Sequence, residues 1–148
     1  MITVEPLEPD TYLAELLHGS DSILERGIVA VGSGQADRLE ALIQPSAARI
    51  RGKVSASPAQ LAAGITITLV PAEGREGNLA LYKRIITADG AFSFSGVSPG
   101  RYRILAWESI PDGAEQNDEF MENFRDEGTY FTVSPQSTSV IEVRLITK

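Results

Sequence analysis

The sequence has 148 residues, an ordinary length for one folded domain, and its 43% hydrophobic and 22% charged content supports an apolar core rather than disorder. It contains no cysteine and one histidine, which excludes disulfides, thiolate nucleophiles and metal sites built from several imidazoles. The net charge of −7 disfavours nucleic acids and anionic lipid surfaces, and no apolar run is long enough to cross a bilayer as a helix.

The first 46 residues resemble the end of the chain rather than a complete unit. Three segments match later ones in the same order: residues 12–16 match 102–106, residues 27–31 match 128–133, and residues 38–43 match 140–146. We therefore interpret residues 1–46 as the C-terminal strands of a preceding, similar module, packed on or paired with a main domain of residues 47–148.

A helical alternative exists for the same region. Leu13, Leu16 and Leu17 also fit one face of a helix over residues 12–18, with a second helix over residues 22–26. Residues 1–10 are acidic and contain proline, so they do not predict a signal peptide.

From residue 49 onward the dominant hydrophobic period is two. Apolar side chains alternate with others over residues 50–54, 65–70, 91–95 and 140–146. Such alternation predicts strands with one apolar and one wetter face. The dipeptide Asp89-Gly90 lies between two runs and predicts a hairpin, because glycine adopts positive φ readily. Short strands at this spacing predict an all-β, seven-stranded antiparallel sandwich.

Residues 108–127 break the strand pattern and hold the charge excess. They contain eight of the 20 acidic residues and one of the 13 basic residues, so the other segments balance. Phe120 and Phe124 lie four residues apart, with Asn117 or Asp118 able to cap a helix and Gly128 able to end it. We predict a short helical insert near residues 117–127, with its phenylalanines on the sandwich and its acids in solvent.

The run of residues 87–102 resembles the carboxypeptidase regulatory-like domains, which are related to transthyretin-like, collagen-adhesin B-type and starch-binding-like sandwiches. The residues that carry the resemblance are Thr87, Asp89, Gly90, Phe92, Phe94, Gly96, Val97, Pro99, Gly100 and Tyr102. The family pattern is T-x-D-x-G-x-F-x-F-x-G-V-x-P-G-x-Y, and here Asp89 and Gly90 stand one residue closer together. Residues 50–54 are similar to the family's first strand.

The continuation from residue 106 to Gly128 is similar to a bacterial extracytoplasmic subset of that family. The resemblance implies a Greek-key, prealbumin-like topology and a periplasmic, secreted or cell-surface location. Each motif residue has a structural role in a turn or the core, so the motif is specific for fold and nearly silent on function.

No stretch of the sequence specifies a reaction. We predict a non-enzymatic structural or interaction module of an extracytoplasmic multi-domain bacterial protein, with no cofactor. We expect it to contact protein partners or neighbouring modules through strand edges. The isopeptide chemistry of some collagen-adhesin modules would use Lys53, but residues 140–148 offer no Asn or Asp as its acceptor.

The alternative is a carbohydrate-binding module with an aromatic and carboxylate surface. Trp107 beside Glu108, with Tyr82 or Tyr130, is the candidate cluster. A tryptophan at a strand end is also typical of packing at the edge of a core, so the exposure of Trp107 discriminates between the two readings.

Calcium capture is a weaker hypothesis. Its candidate ligands are Asp112, Glu115, Asp118 and Glu119. Carboxylates are the hard oxygen ligands that Ca²⁺ prefers, but their spacing is not that of a calcium loop.

Overall fold

The computed structural model describes residues 11–23, 38–45 and 48–147. The strands are β1 (Thr11–His18), β2 (Asp21–Ser22), β3 (Leu39–Pro45), β4 (Ala48–Ser55), β5 (Ile65–Pro71), β6 (Lys83–Thr87), β7 (Ala91–Val97), β8 (Gly100–Trp107), β9 (Thr129–Val133) and β10 (Thr138–Ile146). The helices are α1 (Pro58–Ala63) and α2 (Asp118–Glu122), with 3-10 turns at Leu79–Leu81 and Ala114–Gln116.

Strands β4 to β10 form a two-layered sandwich. The first layer has the order β7-β4-β10, and the second has the order β6-β5-β8, with β9 also paired to β8. Strand β10 joins the layers, because its last two residues leave β4 and pair with the end of β8. The predicted mostly-β sandwich of seven strands is therefore present in residues 48–147.

The prediction that every pairing is antiparallel is wrong. Strand β10 runs parallel to β4 and to β8, whereas the other sandwich pairings are antiparallel. After β9 the chain crosses to the other layer before β10 starts, so β10 enters beside β4 in the same direction. A parallel pair needs such a crossover instead of a hairpin.

The main core lies between the two layers. Ile50 of β4, Ile67 of β5 and Ile104 of β8 are fully buried there, as the period-two pattern predicts. Complete burial of such a side chain contributes about 1.5–3 kcal/mol. Tyr102 joins them with its ring, and its hydroxyl donates a hydrogen bond of 2.9 Å to the carbonyl of Ser98.

The hairpin between β6 and β7 has the turn that Asp89-Gly90 predicts. Gly90 has φ of 79°, and Asp89 Oδ1 accepts a hydrogen bond of 2.9 Å from the Ala91 backbone N–H. That hydrogen bond is the main reason why the pKa of Asp89 lies below its ordinary value, and a second from the Thr87 hydroxyl adds to it. The side chain thus locks the turn.

The N-terminal strands form a separate sheet with the order β2-β1-β3. Residues 11–18 are a strand, so the helical alternative for residues 12–18 is wrong. The helix considered for residues 22–26 lies at the border of the described residues, and the strand-like segment at 27–31 lies outside them. All eight residues of β1 are only half-buried. The assignment of residues 1–46 to a preceding module stays a prediction.

Both helices have capping residues in the sequence, but only one of the two was predicted. Helix α2 is the predicted insert, and the Asn117 side chain accepts a hydrogen bond from the Phe120 backbone as its N-cap. Helix α1 was not predicted, although Ser57 and Gln60 form a capping box around Pro58. Within the described residues, neither helix approaches the length and apolarity needed to span a membrane.

Candidate functional site

Trp107, the centre of the predicted sugar platform, is buried. Its side chain is 1% exposed, and its ring meets Phe124 edge-on at 4.8 Å and Phe120 at 6.0 Å between centroids. The indole N–H donates a hydrogen bond of 2.9 Å to the buried hydroxyl of Thr68. A sugar cannot stack on an indole without an exposed face, so the platform prediction is wrong at Trp107.

The alternation along β8 explains this burial. Tyr102, Ile104 and Ala106 point into the main core, whereas Leu105 and Trp107 point to the opposite face. That opposite face is covered by residues 108–127, which we call the strap. The strap and the outer face of the second layer enclose a second core of Val70, Leu105, Trp107, Ile110, Met121 and Ile146, with Tyr82, Ala114, Phe120 and Phe124 packed against it.

Arg84 of β6 anchors the first half of the strap. Its guanidinium donates hydrogen bonds of 3.1 Å to the carbonyl of Ile110 and 3.3 Å to the carbonyl of Pro111. It also pairs with Glu115 at 3.0 Å and with Asp112 at 3.2 Å. Glu115 is only 5% exposed, so Arg84 supplies the charge partner that a buried carboxylate requires.

Arg103 of β8 anchors the second half of the strap. Its Nη1 donates to the carbonyls of Phe124 and Arg125 at 3.1 and 3.2 Å. Hydrogen bonds with a charged donor are each worth about 1.5–3 kcal/mol. Two arginines that project from the outer face of the second layer therefore hold the strap closed over Trp107.

The four calcium candidates do not converge. Asp112 and Glu115 are occupied by Arg84, while Asp118 and Glu119 lie in the first turn of α2, where their charge favours the helix. Across residues 11–23, 38–45 and 48–147, no three acidic or histidine side chains are grouped as a metal site. These four acids therefore have structural roles in an ion pair or a helix start.

Two of the sugar-site candidates do come together. Tyr82 and Tyr130 line one small cavity of about 110 Å³, with Arg103, Asp118 and Met121 in its walls. An open groove of about 370 Å³ adjoins it and shares Tyr130, Arg103, Asp118 and Met121 with it. We call the two together the tyrosine cleft.

The tyrosine cleft combines an exposed tyrosine with a half-buried one. Tyr130 is 49% exposed, and the guanidinium of Arg103 stands 5.5 Å from its ring centroid. The Tyr82 hydroxyl donates a hydrogen bond of 2.9 Å to the carbonyl of Glu76. Burial, followed by the nearby Asp118 carboxylate, raises the pKa of Tyr82 to about 12, so this hydroxyl stays a hydrogen-bond donor at neutral pH.

Glu108 lies outside the tyrosine cleft. It is exposed at the end of β8, where its backbone N–H bonds to Ile146. Tyr130 pairs with Arg103, which is five residues and therefore about 17 Å from Glu108 along the strand. The predicted cluster of four residues thus separates into a buried Trp107, a distant Glu108 and the two tyrosines.

The outer face of the first layer is open and positively charged. Arg49, Arg51 and Lys53, which we call the basic row, alternate with buried residues along β4 and are exposed. Across the described residues, Arg51 and Lys53 form no ion pair. Glu142 of β10 lies beside Lys53 and accepts a hydrogen bond of 3.0 Å from the Ser55 hydroxyl.

Sequence reasoning missed the two anchoring arginines and Thr68. One signal was present: residues 102–107 carry large apolar side chains in both registers, which is typical of a strand covered on both faces. Nothing local identifies the arginines, because the Arg84 partners lie 26 to 31 residues away.

Comparison with known proteins does not show a family for this chain. No family model matches the chain, and no curated protein matches it. Among solved structures, the chain is similar to BcpA, the major pilin subunit of Bacillus cereus, with 13% identity and a TM-score of 0.39 over 72% of this chain. The match spans about a third (34%) of that pilin chain. The carboxypeptidase regulatory-like resemblance therefore stays a prediction.

Proposed function

We propose that the chain is a non-catalytic structural and interaction module of an extracytoplasmic multi-domain bacterial protein. In this proposal residues 47–148 are a carboxypeptidase regulatory-like sandwich, and residues 1–46 are the last strands of a preceding, similar module. The module joins its neighbours through strand edges.

The observation that carries the proposal is the small sheet β2-β1-β3. It belongs to neither layer of the sandwich, and its strands keep apolar side chains half-exposed, with Leu42 exposed. A sheet of this size needs packing against other structure to be stable, and exposed apolar strands mark protein contacts. A link between consecutive modules meets both needs.

Native-state hydrogen exchange on the intact chain tests the division into modules. We expect the amides of residues 11–23 and 38–45 to open with a smaller free energy than those of β5 and β8, because a separate unit opens separately. Equal opening free energies in both parts would mean one cooperative domain and would contradict the proposal. Fractionation of the native cells tests the location, since a cytoplasmic protein would be incompatible with it.

A second candidate function is carbohydrate binding at the tyrosine cleft. The observation that favours it is the exposed Tyr130 ring beside Arg103, with the Tyr82 hydroxyl oxygen as an acceptor while its hydrogen bonds to Glu76. Aromatic faces flanked by convergent polar groups suit sugar rings. In this form the hypothesis no longer depends on Trp107 or Glu108.

Affinity electrophoresis against a panel of polysaccharides tests the second candidate. We expect Tyr130→Ala to remove any retardation, while Tyr12→Ala, at a half-buried tyrosine of the separate sheet, keeps it. Equal mobility of wild type and Tyr130→Ala on every polysaccharide would end this reading.

A further inference from the structure

Strand β7 is the end strand of the first layer. It pairs with β4, and no other described strand pairs with it. The Val54 N–H donates to the Gly90 carbonyl at 2.9 Å, and hydrogen-bonded pairs recur at every second residue of an antiparallel ladder. Phe92 and Phe94 therefore bond to β4, whereas Ser93 directs its N–H and C=O to the outer edge.

The turn occupies one end of that edge. Ala91 also faces outward, but Asp89 accepts its N–H and the Thr87 hydroxyl lies 2.7 Å from its carbonyl. The open stretch is therefore centred on Ser93. It ends at the bulge formed by Ser95 and Gly96, which together oppose Arg49, and Gly96 has φ of 65° there. Strand β1 approaches β7 without pairing with it.

The open stretch has little protection against strand addition. Native proteins usually guard edges with charged residues, proline or bulges. Residues 91–95 read Ala-Phe-Ser-Phe-Ser, without charge or proline, and the bulge begins only at Ser95. The outward side chains of Ser93 and Ser95 are small and exposed, so another strand can approach the edge closely.

The basic row lies directly behind this edge. Arg51 is the cross-strand neighbour of Ser93, and Lys53 is the neighbour of Ala91, so these four side chains share one face. A strand added to β7 would lie two strand spacings, about 9.6 Å, from β4. Because serine and alanine are short, the arginine and lysine side chains can reach over them to carboxylates on the added strand.

We propose that the β7 edge binds an extended strand of a partner protein that carries carboxylates at alternate positions. Backbone hydrogen bonds to the outward N–H and C=O of Ser93 begin the pairing, and the basic row selects the charge. This inference rests on the proposed function and names the edge and the kind of partner. A second copy of this chain joined edge to edge would place two basic rows on one face, which the charge disfavours.

The test uses a short synthetic peptide that alternates valine and glutamate, with a valine–lysine peptide as its charge control. Fluorescence anisotropy with the full chain measures binding. Ser93→Pro removes an edge N–H that bonds to nothing in β4, so the fold tolerates it, and we expect about tenfold weaker binding of the acidic peptide. Ser93→Ala is the matched control and keeps the wild-type affinity.

Two further measurements separate the edge from the charge. Removing two of the three charges of the basic row with Arg51→Gln and Lys53→Gln should weaken binding and flatten its salt dependence. Hydrogen exchange should protect the Ser93 amide when the acidic peptide is bound. Unfolding curves of each variant exclude loss of the fold as the cause.

Each other outcome overturns the inference. Equal affinities of Ser93→Pro and Ser93→Ala for the acidic peptide would refute binding at the β7 edge. Equal binding of the acidic and the basic peptide would refute the charge selection. A dimer in sedimentation that Ser93→Pro dissolves would make a second copy the occupant. If the bound peptide protects amides of β6 or β9 instead of β7, the β7 edge is refuted and the proposed function stays intact. Uniform opening free energies across residues 11–23, residues 38–45 and the sandwich would instead contradict the proposed function itself.

Discussion

Replacing Arg84 with methionine tests whether the strap depends on its buried anchor. The substitution keeps an unbranched side chain but removes the guanidinium, so Glu115, at 5% exposure, loses its charge partner, and the carbonyls of Ile110 and Pro111 lose their donors. Breaking a buried ion pair from one side costs roughly 3–5 kcal/mol. The Arg84 side chain is 25% exposed, so we expect the lower end, about 3 kcal/mol.

Urea unfolding of wild type and Arg84→Met measures that loss. With a slope of about 1–3 kcal/mol per molar urea, the midpoint should fall by about 1–3 M. The single tryptophan reports the strap itself, because Trp107 is buried beneath Phe120 and Phe124. We expect its emission to shift to longer wavelength in Arg84→Met before the sandwich unfolds.

Two further variants show where the energy comes from. Asp112→Asn removes the other carboxylate that pairs with Arg84. This carboxylate is fully exposed, so its loss should leave the urea midpoint almost unchanged. Adding Glu115→Gln to Arg84→Met removes the stranded charge, so the double variant should recover part of the loss, with a coupling of about 0.5–3 kcal/mol. Additive effects, or an Arg84→Met loss as small as that of Asp112→Asn, would refute the anchor.

Three other changes have expected outcomes. Gly52→Ala should destabilise the chain by about 1–3 kcal/mol or more in a thermal melt, because a β-carbon there would overlap the Ile141 backbone carbonyl and the Phe92 ring; an unchanged melting temperature would contradict this. Trp107→Phe should cost about 1–3 kcal/mol by orphaning the Thr68 hydroxyl, and Thr68→Val in that background should recover part of it. In an alkaline ultraviolet titration Tyr82 should ionise near pH 12. The raised pKa of Tyr82 stabilises the folded state below pH 10, and this stabilisation should be lost between pH 10 and 12. In Tyr82→Phe the free energy of unfolding should lack this loss.

The fold was predictable where the signals are local. Asp89-Gly90 specifies its own hairpin because the carboxylate and the positive φ both belong to the turn. Asn117 and the phenylalanine spacing likewise specify α2. The parallel entry of β10 was not predictable, since strand alternation gives the faces of a strand but not the direction of its neighbour.

The site was predictable only in part, for a related reason. The sequence identifies Trp107 and Tyr130 as large aromatics near strand ends, but their exposure depends on where the strap folds back. Arg84 and Arg103 determine that position through contacts 21 to 31 residues away in sequence. Burial of an aromatic residue at a strand end is therefore a tertiary property that composition and spacing do not give.

The strap makes the two outer faces of the sandwich unequal, and this bears on both candidate functions. The second layer is closed by an acidic cover, and a glycan in the tyrosine cleft would touch Arg103 and Met121, which hold that cover in place. The first layer is open and basic, and an added strand at β7 would leave the second core undisturbed. Trp107 emission should therefore respond to a ligand in the cleft and not to a strand on β7, so the two modes of binding are separable in one titration.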